Sequence, residues 1–226
     1  YNAVYRQVEQ DSLEMWQQQE ERAESSAGTS AGAEEESGES AGTSAEILEE
    51  MPEIWRDYEA DCFYQRKDGS QLRMVGVDRA AGSSYYVLLE AVDGVNTSVV
   101  NPDPYLGSGG YAKWIDFLED EKTGFSCLAY SGGSRGLLYR TEDGGRSFQA
   151  VTYPSAEMEL PDGSLYQPFI MPEKVWEEEG RLFMRAGQGP DGDHYEDGVK
   201  VCGLYESQDR GKNWRYVGTV EADGSF

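Results

Sequence analysis

The sequence predicts an all-β protein built from repeated units of strand, tight turn and strand, and three observations support this prediction. A short turn pattern occurs twice, and runs of alternating apolar and polar residues flank both copies. The chain is also rich in glycine and tyrosine, with 27 and 15 of its 226 residues. Glycine suits turns and tyrosine suits half-buried strands. An internal repeat of this kind takes precedence over any single element in deciding the fold class.

The repeated pattern reads Ser/Thr-x-Asp-x-Gly-x-x-aromatic. Its fixed positions are Thr141, Asp143, Gly145 and Phe148 in the first copy and Ser207, Asp209, Gly211 and Trp214 in the second. The carboxylate and hydroxyl groups can bond to backbone groups of the turn. The glycine can adopt the positive φ that hairpin turns often require, and the aromatic ring can pack beneath the turn. The pattern therefore has a structural role that needs no ligand.

These two turns resemble the Asp-box, or bacterial neuraminidase repeat, of β-propellers in the sialidase-like superfamily. The resemblance implies an all-β, sialidase-like propeller in which each turn joins the third and fourth strands of a blade, away from the catalytic face. Residues 61–226 hold about four blades of about 40–45 residues, so a small or partial propeller is expected. A β-sandwich or an open array of hairpins is the alternative architecture.

Composition divides the chain into three parts. Residues 1–22 are predicted to form an amphipathic helical segment that packs on its own domain or acts as a stalk from a membrane anchor, and residues 23–46 are predicted to be a low-complexity acidic linker. Residues 47–226 form the propeller domain. Its entry segment docks onto the fold through Ile54, Trp55 and Tyr58.

The propeller domain divides into strand pairs and two complete blades. Strands at 62–66 and 72–77 form one hairpin, and strands at 85–91 and 96–100 form a second hairpin that represents a degenerate blade. The complete blades span about residues 113–154 and 169–222, and each contains one copy of the turn pattern.

Charge and composition exclude several classes of function. The chain carries 43 acidic and 19 basic residues, a net charge of −24, so neither nucleic acid nor an anionic membrane surface is an expected partner. Membrane attachment is expected only through an anchor outside this sequence. His194 is the single histidine, which excludes sites that need several histidines. The three cysteines are interpreted as buried hydrophobes, with one disulfide left open.

Few residues are candidates for a catalytic or metal-binding role. The Arg-Ile-Pro sequence of the sialidase family is absent, so no catalytic residue is transferred from that resemblance. Asp116 has apolar neighbours on its strand and is the one weak catalytic candidate, with a plain strand acid as the alternative. Calcium is the one cofactor considered, and its candidate ligands are Asp191, Asp193, Glu196 and Asp197. The alternative interpretation of these residues is an acidic surface loop that binds no metal.

The resulting functional hypothesis is an extracytoplasmic, non-catalytic propeller that binds glycan or protein through its loop face. In this hypothesis, aromatic residues in or beside loops provide the binding surface. These residues are Tyr105, Tyr111, Trp114, Tyr166 and Tyr195. The alternative is that they pack in the core or at its rim. The alternatives are a sialidase-like, exo-acting glycoside hydrolase and a structural or assembly protein. The expected location is extracellular or at a bacterial cell surface. The oligomeric state is left open.

Overall fold

The structure is a computed structural model that describes residues 55–80, 83–92, 96–130, 135–159, 163–189 and 192–222. The predicted N-terminal helical segment, the acidic linker and the two boundaries of the linker lie outside these residues. Within them, no helix is long and apolar enough to cross a membrane.

Blade 1 is a four-stranded antiparallel sheet in the order β1-β2-β3-β4. Its strands are β1 (Ala60–Gln65), β2 (Gln71–Ala80), β3 (Ser83–Val92) and β4 (Asn96–Asn101). Asp68 closes the β1–β2 hairpin by accepting hydrogen bonds from the backbone N–H and the hydroxyl of Ser70, at 2.9 and 2.8 Å. The two hairpins predicted from the sequence thus form one regular sheet and not a degenerate blade.

Blade 2 is a second antiparallel sheet, in the order β5-β6-β7-β8. Its strands are β5 (Tyr111–Phe117), β6 (Gly124–Ala129), β7 (Leu137–Thr141) and β8 (Gln149–Val151). A small hairpin of β9 (Met158–Glu159) and β10 (Leu165–Tyr166) follows this sheet.

Blade 3 has the order β11-β12-β14-β15, with the short strand β13 on the leading end of β14. Its strands are β11 (Phe169–Glu178), β12 (Arg181–Gln188), β13 (Tyr195–Glu196), β14 (Val199–Ser207) and β15 (Arg215–Glu221).

The chain has an all-β propeller fold, as the repeat predicts. The described residues form three blades and not about four, because long segments between strands take up the remaining length. The longest of these link one blade to the next: they run from 102 to 110 and from 152 to 168, and the second contains the short hairpin of β9 and β10. Strands of up to ten residues add to the length of blades 1 and 3.

The blades pack against one another through their sheet faces. One buried cluster joins blades 1 and 2 and contains Leu72, Leu88 and Phe117, and a larger cluster joins blades 2 and 3 and contains Phe125 and Met184. Burial of such apolar faces is the main stabilising contribution in a stacked-sheet fold.

A third, smaller cluster lies on the far face of blade 1 and is formed by Val75, Val87 and Leu89. Trp55 packs against it, so the predicted docking role of Trp55 is confirmed. Ile54 lies outside the described residues.

Because every blade is a meander, its two ends carry different connections. The end with the β7–β8 and β14–β15 connections is called the turn end, since both copies of the repeated pattern lie there. The opposite end is called the loop end. It carries the β2–β3, β6–β7 and β12–β14 connections, the starts of β1, β5 and β11, and the segments that link one blade to the next.

Candidate functional site

The first copy of the repeated pattern is a closed turn, called motif turn 1, in which each polar group has a structural partner. The Thr141 hydroxyl donates to Asp143 Oδ1 at 2.8 Å and accepts the Gly145 N–H at 3.0 Å. Asp143 also accepts the backbone N–H and the hydroxyl of Ser147, at 2.9 and 2.6 Å. Burial alone would raise the pKa of Asp143, but the hydrogen bonds from Ser147 and Thr141 lower it overall.

Motif turn 2 repeats this arrangement. Ser207 Oγ donates to Asp209 Oδ1 at 2.8 Å and accepts the Gly211 N–H at 2.9 Å. The Asn213 side chain donates to Asp209 Oδ2 at 2.6 Å and its backbone N–H donates to Oδ1 at 2.9 Å. The side-chain bond from Asn213 is the main reason that the pKa of Asp209 falls to about 2.

The aromatic residues of the two motif turns are buried, as the pattern predicts: Phe148 and Trp214 expose only 4% and 7% of their surface. The two carboxylates of the motif turns therefore act as turn-closing groups.

Asp116 lies at the end of β5, towards the turn end, and accepts the backbone N–H of Phe117 at 2.9 Å. Burial raises its pKa. It lines a small cavity of about 390 Å³ between β5 and β11, together with Glu119, Lys174 and Glu177. The catalytic role of Asp116 stays a prediction. The residue lies at the turn end, on the side opposite to the loop end.

The predicted calcium ligands fall on the β12–β14 connection. Asp191 lies outside the described residues. Glu196 accepts the Thr219 hydroxyl at 2.7 Å, and Asp197 has a φ of 50°, in the turn between β13 and β14. Among the residues that the structure describes, no group of three or more His, Cys, Asp or Glu side chains is arranged to hold a metal ion. Calcium binding stays a prediction.

The three cysteines are free thiols, with Cys127 and Cys202 buried and Cys62 partly buried. Burial raises the pKa of Cys62 and Cys127 to about 12 and that of Cys202 to about 11. Thiols with such pKa values are poor nucleophiles at neutral pH, which agrees with their interpretation as small hydrophobic residues.

The aromatic residues proposed as a binding surface divide into two groups. Tyr105 is buried and shares a hydrogen bond of 2.7 Å with Ser126, and Trp114 donates its indole N–H to the carbonyl of Pro172 at 2.8 Å, between blades 2 and 3. Tyr111 and Tyr195 are exposed at the loop end, and Tyr166 is partly buried. Of these five residues, Tyr111 and Tyr195 therefore offer the most surface to a ligand.

An open cleft of about 900 Å³ lies at the loop end, beside the first strands of blades 1 and 2. It is lined by Tyr58, Glu59, Ala60, Asp61, Gly76, Tyr111, Ala112 and Lys113. Tyr58 exposes 47% and Tyr111 39% of their surface. Tyr58 lines the cleft with about half of its surface exposed, so its predicted docking role stays a prediction.

Two β-bulges direct charged side chains into the cleft. Between β1 and β2 the pairing passes from Ala60↔Val75 to Cys62↔Met74, which leaves Asp61 as an extra residue. The β5–β6 pairing skips one residue between Ala112 and Trp114, and this extra residue is Lys113. A bulge turns a side chain out of the regular alternation of a strand, and bulges are frequent beside binding sites.

The same bulge occurs in blade 3. The β11–β12 pairing skips Glu173, which forms an ion pair with Arg185 at 3.0 Å. All three first strands therefore present a charged residue at equivalent positions near the loop end.

A buried tyrosine holds Asp61 in place. Tyr86 exposes only 3% of its surface. Its hydroxyl donates a hydrogen bond to Asp61 Oδ2 at 2.5 Å and accepts one from the backbone N–H of Ala112 at 3.0 Å. This relay connects the acid of blade 1 to the first strand of blade 2.

The entry segment places Tyr58 at the rim of the cleft. Arg73 on β2 donates to the carbonyls of Arg56 and Tyr58, at 2.9 and 2.6 Å, and the Tyr58 N–H donates to the carbonyl of Trp55 at 3.0 Å. Hydrogen bonds to backbone carbonyls of this kind fix the position of a segment that precedes the first strand.

Sequence reasoning found Tyr111 and missed the other charged and aromatic residues of the cleft. The available signal was weak, because bulges are not visible in hydrophobic periodicity. A comparison of the three first strands would have shown a small or cyclic residue followed by a charged one each time, in Ala60-Asp61, Ala112-Lys113 and Pro172-Glu173.

Comparisons with known proteins gave matches among solved structures. No protein-family model matches the sequence, and none of the curated proteins compared with the chain is similar to it. An α-L-arabinanase of Penicillium chrysogenum complexed with arabinobiose shares 16% identity and a TM-score of 0.47, over 76% of this chain and 52% of the other. An α-L-arabinofuranosidase of Fusarium graminearum with arabinobiose shares 13% identity and a TM-score of 0.45, over 73% and 48%. The chain thus spans about half the length of these structures, and its fold is argued from its own strand order.

Proposed function

We propose that this protein is a glycan-binding propeller module and that the cleft at the loop end is its binding site. The observation that carries the proposal is the convergence of two exposed tyrosines, Tyr58 and Tyr111, with three charged side chains around a cleft of about 900 Å³. Volumes of about 300–1,000 Å³ are typical of sites for small ligands.

The chemistry of the lining fits a sugar. Tyrosine rings present an apolar face, which can cover the C–H face of a sugar ring, and a hydroxyl that stays in contact with water. The carboxylates of Glu59 and Asp61 accept hydrogen bonds from sugar hydroxyls, and the ammonium group of Lys113 donates to sugar oxygens. An oligosaccharide of two or three residues is the ligand size that this cleft favours.

The motif turns support the wider assignment. We propose that they are Asp-boxes and that the protein belongs to the sialidase-like propellers that act outside the cytoplasm or at the cell surface. Their hydrogen bonds occupy both carboxylates within the turns, which fits a structural role at the end opposite to the binding site.

A hydrolytic function is the second candidate, because Glu59 and Asp61 both line the cleft. Glycoside hydrolysis uses a pair of carboxylates on either side of the scissile bond. Release of reducing sugar by the full chain, abolished by Asp61→Asn with retained binding, would favour hydrolysis over binding alone.

The test of the proposal is calorimetric titration of the full chain with a panel of short oligosaccharides that includes arabinobiose, the ligand named for two of the matched structures. Binding by at least one member is expected, and Tyr111→Ala should weaken it about tenfold because the ring loses its contact with the sugar.

Tyr195→Ala is the matched control, since Tyr195 is an exposed tyrosine at the loop end of another blade. Equal weakening by both variants, or no binding across the panel, would contradict the proposed site. Circular dichroism of each variant establishes that the fold is intact.

A further inference from the structure

In the described part of the chain, two sheet faces lie outside the contacts between neighbouring blades. One is the outer face of blade 3, opposite to the cluster that blade 3 shares with blade 2, and Phe183 and Leu204 on this face are only partly buried. The other is the far face of blade 1, where Phe63 exposes 58% of its surface. Because burial of apolar surface drives association, these faces are candidates for a contact with another molecule.

Strand pairing shows that the outer face of blade 3 corresponds to the face of blade 2 that packs on blade 3. Arg140 and Glu206 each stand directly before the first residue of a motif turn, and their cross-strand partners are Phe125 and Phe183. Phe125 lies in the cluster between blades 2 and 3 and is 1% exposed, whereas Phe183 is only partly buried. The outer face of blade 3 therefore has the residue pattern of a blade interface.

A polar contact accompanies each of the two blade interfaces at the turn end. Arg66 of blade 1 donates to the carbonyl of Gly144 in motif turn 1 at 3.1 Å. Arg140 of blade 2 donates to the carbonyl of Arg210 in motif turn 2 at 2.5 Å. Gly144 and Arg210 hold the same place in the repeated pattern, directly before its fixed glycine. An arginine of one blade thus bonds a backbone carbonyl at the turn end of the next blade.

Blade 3 carries arginines at the corresponding place. Glu206 is 5% exposed and accepts hydrogen bonds from Arg181 Nη1 at 2.8 Å and Arg215 Nη2 at 2.5 Å. The side chains of these arginines expose 46% and 71% of their surface. A guanidinium group has five N–H donors, so both arginines retain donors for a carbonyl of an incoming blade.

From these correspondences, we propose that the outer face of blade 3 binds the far face of blade 1 in a second copy of this chain, and that two copies form a head-to-tail dimer. Such a pair contains six blades, within the range of about four to eight that closed propellers have. A head-to-tail contact forms a ring when its rotation closes. The inference goes beyond the proposed function and does not depend on it.

The far face of blade 1 identifies the occupant. The faces by which blades 2 and 3 receive the preceding blade are already covered, and the far face is the corresponding face of blade 1. Cross-strand pairing places Phe63 on this face with Arg73 and Leu89. Trp55 packs over its centre and is itself partly buried. A second copy therefore presents an aromatic surface of Trp55 and Phe63 to the apolar residues of blade 3.

The size of the contact suits a stable dimer. The four main strands of blade 3 have 7 to 10 residues, and a sheet face of four strands with about seven residues each has an area of about 450 Å². A closed head-to-tail dimer forms this contact twice and buries about 1,800 Å² in total, which lies within the range of specific interfaces. The net charge of −24 on each copy opposes association.

The test begins with the mass of the full chain in solution, measured by size-exclusion chromatography with light scattering. The ionic strength is about 0.15 M, where charges more than about 8 Å apart are largely screened. Concentrations from about 1 μM to 1 mM cover moderate to weak affinities. We expect the mass of two chains at the upper end of this range. A chain that stays monomeric throughout overturns the proposal.

Substitutions on each face test which surfaces meet. Phe183→Asp and Phe63→Asp should each weaken dimerisation at least about tenfold, because a charge enters the apolar contact. Leu165→Asp is the matched control, since Leu165 is 65% exposed on the small hairpin outside both sheets, and it should leave dimerisation unchanged. Circular dichroism establishes that each variant is folded. Dimerisation that survives either substitution, or that the control weakens equally, contradicts the proposed contact.

Cross-linking separates a head-to-tail dimer from other arrangements without large changes to the contact. Phe63→Cys and Phe183→Cys proteins are mixed and oxidised, and a disulfide-linked dimer should form in the mixture and in neither protein alone. The unsubstituted chain is the control for its own three cysteines. A Phe183→Cys protein that links to itself shows that blade 3 packs on blade 3, and this result overturns the proposal. A mixture that yields no linked dimer overturns it as well.

Discussion

At the scale of single residues, two glycines in the motif turns occupy positions that no other residue can fill without strain. Gly145 and Gly211 have φ values of 95° and 82°. A Cβ atom added to them would lie 2.6 Å from Leu88 Cδ2 and 2.4 Å from Phe125 Cζ, respectively. The glycine of the pattern is therefore required for two reasons, its backbone angle and the close approach of a side chain from the neighbouring blade.

Gly211→Ala should lower the free energy of unfolding by about 2–4 kcal/mol, because both the positive φ and the contact with Phe125 become unfavourable. Gly69→Ala is the matched control. Gly69 has a φ of 93°, and an added Cβ would have no atom within 4 Å, so this variant should lose only about 1 kcal/mol from backbone strain. Urea unfolding of both variants measures the difference. Equal losses would show that the contact with Phe125 contributes nothing.

At the scale of elements, motif turn 2 of blade 3 is bonded to β7 and to the β5–β6 connection of blade 2 at the turn end. Arg140 on β7 is 3% exposed. It donates to the carbonyl of Arg210 in motif turn 2 at 2.5 Å and pairs with Glu142 in motif turn 1 at 2.6 Å. Arg210 in turn pairs with Asp120, in the β5–β6 connection. Blades 2 and 3 are thus joined by polar bonds as well as by their shared core.

Arg140→Ala should lower the free energy of unfolding by about 2 kcal/mol, because the carbonyl of Arg210 loses its partner and a buried side chain leaves a gap. Arg146→Ala, in which an exposed arginine of motif turn 1 is removed, should change stability by less than about 0.5 kcal/mol. Thermal unfolding of both variants at one pH makes the comparison. A loss for Arg140→Ala as small as that of the control would contradict a role in joining the blades.

Strand order and turn chemistry could be predicted from the sequence, because they depend on local rules. Alternation of apolar residues identified the strands of blades 2 and 3, and the pairing of Asp with Gly identified their turns. The cleft could not be predicted in the same way. Its residues come from the entry segment, from β2 and from the first strands of two different blades. Asp61 and Lys113 enter it because bulges displace them from the regular alternation.

At the scale of the whole molecule, the two ends of the propeller have different roles. The turn end contains the motif turns and polar bonds between blades 2 and 3, and the carboxylates of Asp143, Asp209 and Asp120 there are occupied by hydrogen bonds and an ion pair. The loop end presents exposed tyrosines and charged bulge residues around the cleft. This division agrees with a rigid scaffold at one end and recognition at the other.

The predicted number of blades depended on an average blade length, and length is a property of loops that sequence patterns describe poorly. Segments such as 152–168 have no strand periodicity beyond one short hairpin, yet they take up much of the length of a further sheet. The three observed blades follow from strand pairing, which length alone does not determine.

Hydrogen–deuterium exchange of the full chain, with and without the oligosaccharide from the panel that binds best, locates the bound ligand. Binding in the cleft predicts slower exchange in residues 58–61 and 111–113, and unchanged exchange in residues 141–148 and 207–214. Protection confined to the motif turns or to the β12–β14 connection, with none at the starts of β1 and β5, would contradict the account.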